Sequence, residues 1–211
     1  DHENQDAAQK IARIQQAISD VNGQKQAAAS RLRVLREMER DYAGYQQAVK
    51  QVLLHARGNS GVRGVVASLM QVPKELERAV EAVLGGALQN VVTSDEYVAR
   101  DMIAYLRSNK LGRATFLPLT AIRGRTLQEN GLESCRGYVG IASELVQTED
   151  RYREVVANLL ARTVIVSDID AAIAMAKKYN NRFKIVTLDG QVMNAGGSMT
   201  GGSVNKETGI L

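Results

Sequence analysis

A single cysteine, Cys135, stands in this chain of 211 residues. No disulfide can therefore close within it, and a reducing, cytoplasmic setting is expected. The two histidines, His2 and His55, are far apart in sequence, so one thiol and two imidazoles do not make a zinc site, and no metal is expected. Tryptophan is absent and there are only two phenylalanines. Rings are thus too scarce for a platform that stacks single-stranded bases. No apolar run approaches the roughly 20 residues of a membrane span, and residues 1–20 lack the apolar stretch of a secretory leader, so neither is expected. Acidic residues sit at helix starts and outer helix faces, and His55 stands alone at a helix-to-loop junction. No acid–base or nucleophilic constellation emerges, so catalytic residues are expected to be none.

Charge is present but unevenly placed. Residues 1–41 carry as many acids as bases, so the whole net charge of +4 lies in the remainder. An excess of that size suits weak, salt-sensitive contact with a polyanion, and many soluble proteins carry the same.

The first 40 residues hold no proline and one glycine, Gly23. Ile11, Ile14, Ile18, Val21, Ala28, Leu32 and Leu35 follow one another at alternating spacings of three and four, with Lys25 in the one polar slot. That stripe is only as wide as the a and d positions of a heptad, which predicts a coiled-coil seam rather than an amphipathic helix laid on a body. The partner helix is expected either from another chain or from a longer parent protein. Tyr42, Tyr45, Val49, Val52 and Leu53 suggest a further helix, and "HARGNSGVRG" (His55 to Gly64) reads as a loop.

From Gly64 onward the chain repeats itself. Gly64 matches Gly140, Ala67-Ser68 matches Ala142-Ser143, Val80 matches Val156, Ser94-Asp95 matches Ser167-Asp168, and Met102 matches Met175. Each copy reads strand, helix, strand, helix and a third strand, "RATFLPL" in one and "RFKIVTL" in the other. Pro73 suits a first helical turn, and both Ser-Asp pairs suit helix N-caps. The expected fold class is mixed α/β: a body of two similar α/β subdomains behind a long coiled-coil helix. The boundaries read as 1–41 for the arm, 42–63 for the entering helix and loop, 64–119 and 139–205 for the subdomains, and 120–138 for a linker. Residues 206–211 would begin a return toward a second coil.

"NAGGSMTGGS" (Asn194 to Ser203) packs four glycines into ten residues. A phosphate loop needs a lysine where Ser203 stands, and no sizeable helix is predicted to follow, so nucleotide binding is disfavoured. Close approach of a second backbone is the other use of such a stretch. Two acid-free basic stretches follow the second helix of each copy: Arg107, Lys110, Arg113, Arg123 and Arg125, then Lys177, Lys178, Arg182 and Lys184. Phosphate contacts and cations suited to helix C-termini explain them equally well.

The arm, the duplicated body, "GRATFLPL" (Gly112 to Leu119) and "LDGQVMNAGGSMTGGS" (Leu188 to Ser203) together resemble the hinge domain of SMC (structural maintenance of chromosomes) proteins, most of all the bacterial chromosome-partition type. The resemblance covers about residues 42–205. It implies a homodimerising hinge of a chromosome condensation and segregation protein, with Gly196, Gly197, Ser198, Met199, Thr200, Gly201 and Gly202 at the interface. It also implies weak, sequence-independent DNA contact, a returning coiled-coil helix as partner of the arm, and ATP-binding heads elsewhere in the parent. No cofactor and no small-molecule ligand are expected for this stretch, and a nucleoid location is. A stand-alone coiled-coil DNA-binding protein and a nucleotide-binding α/β enzyme are the alternatives.

Overall fold

The computed structural model describes residues 2–40 and 45–203, and the chain divides into two compact units between Ala43 and Gly44. The first unit is one uninterrupted helix, α1 (His2–Arg40). The seam residues Ile11, Ile14, Ile18, Val21, Ala28, Leu32 and Leu35 all lie exposed along it. A helix of this kind takes its stability from packing one face, so the stripe calls for a partner. Tyr42 and residues 206–211 lie outside the described residues.

In the second unit α2 (Gln47–His55) leads into β1 (Val62–Val65), β2 (Met70–Gln71), α3 (Glu77–Leu84), β3 (Val91–Thr93), α4 (Glu96–Ser108) and β4 (Phe116–Pro118). The same order recurs as β5 (Tyr138–Ile141), β6 (Gln147–Thr148), α5 (Arg153–Leu160), β7 (Thr163–Val166), α6 (Ile169–Lys178) and β8 (Lys184–Thr187). The second copy then adds a hairpin, β9 (Val192–Met193) and β10 (Met199–Thr200). Among the described residues no helix is long and apolar enough to cross a membrane.

Each copy builds its own sheet, ordered β1-β3-β4 in the first and β10-β9-β8-β7-β5 in the second. Within each, one crossover helix joins a parallel pair, β3 with β4 and β7 with β8. The fully buried, β-branched runs of β3 and β7 suit the middle of a sheet. The first strand comes earlier than expected, at Val62 rather than Gly64. Gly64 takes φ +127° at an irregularity in the β1–β3 register, and the chain then turns into a 3₁₀ turn over Val66–Ser68. Ser68 Oγ holds that turn by donating to the Val65 carbonyl at 2.8 Å.

The two copies are joined by a ladder of two residues each. β2 pairs antiparallel with β6, Gln71 opposite Gln147, the residues that correspond to each other in the duplication. Thr148 Oγ1 adds a bond to the Leu69 carbonyl at 2.6 Å. The central core is likewise shared, with Ala79, Val80 and Leu84 of α3 packed in one cluster with Val155, Val156 and Leu160 of α5. Two outer cores flank it. Ala48, Val49 and Val52 of α2 cover the first sheet, and Leu132 with the partly buried Leu127 and Cys135 covers the second. The stretch expected as a linker thus packs as α2 does. Gly124 N–H donates to Glu154 Oε2 at 2.7 Å, and Asn158 Nδ2 donates to the Arg123 carbonyl at 2.8 Å.

Candidate dimer interface

The glycine-rich stretch forms the outermost edge of the five-stranded sheet. Met199 lies opposite Met193 and Thr200 opposite Val192 across β10 and β9. Asn194 N–H donates to the Ser198 carbonyl at 2.8 Å, which makes 194/198 a hydrogen-bonded pair. By the alternation of an antiparallel ladder, 193/199 is then a non-hydrogen-bonded pair, and the N–H and C=O of Met199 point away from β9. The residue is 55% exposed. Among the described residues β10 is therefore an edge strand with a free main-chain rung and an apolar side chain, the kind of edge that takes up another strand.

Within the chain, each glycine of the motif has a reason of its own. Gly196 and Gly197 take φ +88° and +96° to turn the hairpin. Gly196 N–H donates to the Asn181 carbonyl at 2.9 Å, which fixes the turn beside the end of α6. Gly202 takes φ +131° where the strand ends. Gly201 leaves room for a side chain, since a Cβ there would overlap Gln191 Oε1. Asn194 Nδ2 reaches Ser198 Oγ at 3.1 Å and Thr200 Oγ1 at 3.4 Å, bracing the face of the hairpin. Gln191 and Asn181 were not legible as site residues: Gln191 lies within the Leu188–Ser203 stretch but outside its glycine-rich part, Asn181 lies outside the stretch, and each acts through the hairpin's register.

Beside β10 runs a cleft of about 490 Å³, lined by Asp168, Ile169, Asp189, Val192 and Met199 among others. It lies at the carboxyl ends of β7 and β8, where α6 begins. Asp168 caps α6 by accepting from Ala171 N–H at 2.9 Å, and Ser167 Oγ donates to it at 2.6 Å. Those two bonds hold the Asp168 carboxyl below its ordinary value, the serine contributing most. The first copy is built alike. Asp95 accepts from Val98 and Tyr97 N–H and from Ser94 Oγ, and is depressed chiefly by the Val98 bond. There, among the described residues, the sheet ends at β4, with no hairpin beyond it.

The nine basic residues do not form one patch. Arg107, Lys110 and Arg113 gather where α4 ends and β4 begins, and Lys177, Lys178, Arg182 and Lys184 at the matching place between α6 and β8. Arg123 and Arg125 lie past the other end of β4. The Arg123 guanidinium is committed to the carbonyls of Ile122, Thr120 and Leu119, at 2.6, 3.0 and 3.4 Å. Lys178 donates to Cys135 Sγ at 3.4 Å, which raises its pKa, and Lys184 is half-buried at the start of β8. Arg107, Lys110, Arg113, Lys177 and Arg182 are exposed. Among the described residues no group of three or more His, Cys, Asp or Glu is placed to hold a metal ion.

The sequence profile of the SMC proteins Flexible Hinge Domain matches residues 59–176, more than half of the chain. The chromosome partition protein Smc of Bacillus subtilis is 44% identical over 189 residues, covering 88% of this chain and 16% of that protein. Its counterpart in Lactiplantibacillus plantarum is 38% identical over 208 residues, covering 97% of this chain and 18% of that protein. The chain thus spans under a fifth of the length of these curated relatives. Among solved structures, an asymmetric dimer of the Geobacillus stearothermophilus SMC hinge domain aligns with TM-score 0.79 and 41% identity, over 87% of this chain and 76% of that one. The Pyrococcus furiosus SMC hinge domain aligns with TM-score 0.63 and 28% identity, over 83% of this chain and 93% of that one.

Proposed function

Because the chain belongs to the family of SMC flexible hinge domains, we propose that it joins two copies of a chromosome-partition SMC protein by homodimerisation, with no catalysis of its own. The observation that carries this reading is the exposed edge of β10, where Met199 offers both its main-chain groups and its side chain outward. The complementary edge is β4 of a second molecule, the strand that ends the first sheet among the described residues. Thr115 O and Leu119 N–H are engaged with β3, so the backbone of Phe116 faces away from it. Joining the two edges would make one continuous sheet from the three strands of one copy and the five of the other. The same union would repeat across a two-fold axis, half one against half two. The solved relative from Geobacillus stearothermophilus is an asymmetric dimer, which supports pairing of two hinges and not the two-fold axis itself.

In the parent protein the seam of α1 would receive a returning helix, and the nucleotide-binding heads would lie in the part of the relatives this chain does not cover. Chromosome association and a cytoplasmic, nucleoid location follow from the same assignment. DNA contact is a secondary activity in this reading, weak and indifferent to sequence. Its support is the exposed cations at the amino ends of β4 and β8, of which Arg107, Lys110, Arg113, Lys177 and Arg182 are uncommitted to the bonds described above. Few phosphates would be met, so binding should fade between about 50 and 200 mM salt. Gly197→Glu is a poor probe of the interface, since φ +96° and the Asn181 side chain at 3.5 Å would disturb the hairpin itself. Met199→Pro is a better one. It removes an outward N–H and leaves the β9 ladder intact, as edge positions permit. Sedimentation should find this variant folded and at least tenfold weaker in self-association. Unchanged association would place the interface elsewhere.

A further inference from the structure

The edge that β10 offers is longer than its two residues, and one side chain makes it so. β9 begins at Val192, because Gly190 and Asp189 before it form the turn from β8: Gly190 N–H donates to the Thr187 carbonyl, and Thr187 N–H to the Gln191 carbonyl, both at 2.9 Å. No main-chain rung is therefore left for the residue after Gly201. The Gln191 side chain takes that place. Its Oε1 accepts from Gly202 N–H at 2.9 Å, and its Nε2 donates to the Gly202 carbonyl at 3.3 Å. A primary amide offers the same donor and acceptor as a peptide unit, so it stands in for a missing strand residue. Residues 191 and 201 are the next non-hydrogen-bonded pair after 193/199, the kind whose side chains approach most closely. The lack of a side chain at 201 lets the amide cross to Gly202. Gln191 is held in turn, since its N–H donates to Thr187 Oγ1 at 2.9 Å and that hydroxyl donates to the Asp189 carboxylate.

We propose that Gln191 is a positioning residue for self-association: its amide extends the edge strand by one rung, so that Gly201 as well as Met199 presents its N–H and C=O to a second molecule. The proposal rests on the edge reading above, and it assigns Gly201 a purpose inside the chain, to admit the glutamine. Gln191→Ala removes the rung without touching the β9–β10 ladder. Gln191→Glu keeps an acceptor for Gly202 N–H and loses the donor. Both are compared with wild type and Met199→Pro in residues 44–211, a compact unit with its own core and without the arm, by sedimentation for the dissociation constant and by amide exchange for Gly201. The expected result is a thermal midpoint close to wild type in both glutamine variants. Association should weaken at least tenfold in Gln191→Ala and less in Gln191→Glu. Protection of the Gly201 amide in the associated state should be lost with the alanine. Wild-type association in Gln191→Ala, with Met199→Pro weakened, would overturn the role of Gln191 and leave the edge standing. Wild-type association in both would overturn the edge reading and this proposal with it. Weakening in Gln191→Ala but not in Met199→Pro would overturn it too, because the rung acts only through the edge.

Discussion

Two glycines outside the hairpin show how differently the same residue can be used. A methyl at position 124 would collide with Ala157 Cβ and lie 3.0 Å from the Ala157 carbonyl carbon, whereas nothing lies within 4 Å of one at position 86. Gly124→Ala should cost about 1–3 kcal/mol in urea unfolding, as overpacking does. Gly86→Ala should stay within about 0.5 kcal/mol. The paired caps make a different prediction. Asp95 and Asp168 are held below an ordinary carboxyl value of 3.8 by hydrogen bonds to their ionised forms. A lowered folded-state pKa means the stabilisation is complete above the unfolded value and is lost as pH falls through the folded one. Asparagine also caps helices but does not titrate. The double variant Asp95→Asn, Asp168→Asn should therefore match wild type near neutrality and show a shallower loss of thermal midpoint below about pH 4.

At the scale of elements, the sequence was most legible where local chemistry decides. Both Ser-Asp pairs cap the helices that follow them, Pro73 precedes the turn that opens α3, and the a/d stripe lies on one unbroken helix. Strand starts were less legible, because Gly64 bends β1 in mid-strand and moves its beginning to Val62. Least legible was what joins the copies. β2 and β6 have two residues each, too few for any periodicity, and their pairing exists only in three dimensions. The linker hid a packed segment for the same reason, since Leu127 and Leu132 are too few to reveal a covering layer. The shared core carries its own prediction. Leu160 is fully buried in the cluster that α3 and α5 build together. Leu160→Ala should cost about 2–5 kcal/mol, and both copies should still melt in one transition.

For the whole molecule, the glycines themselves suggested close approach of a second backbone, and the family resemblance named a homodimer interface as its purpose. The motif's geometry then adds what the residues alone could not: the glycines turn and relieve a hairpin, and the surface offered outward is the strand between them. The arm complicates any test, because its exposed isoleucines and leucines can pair between chains. The body is a compact unit from Gly44 onward, with a core of its own. The most direct test of the central claim is therefore the solution mass of residues 44–211 by light scattering at micromolar concentration. Twice the single-chain mass is predicted, since the joining edge belongs to the body. A single-chain mass would contradict it, and would assign any dimer of the full chain to the arm.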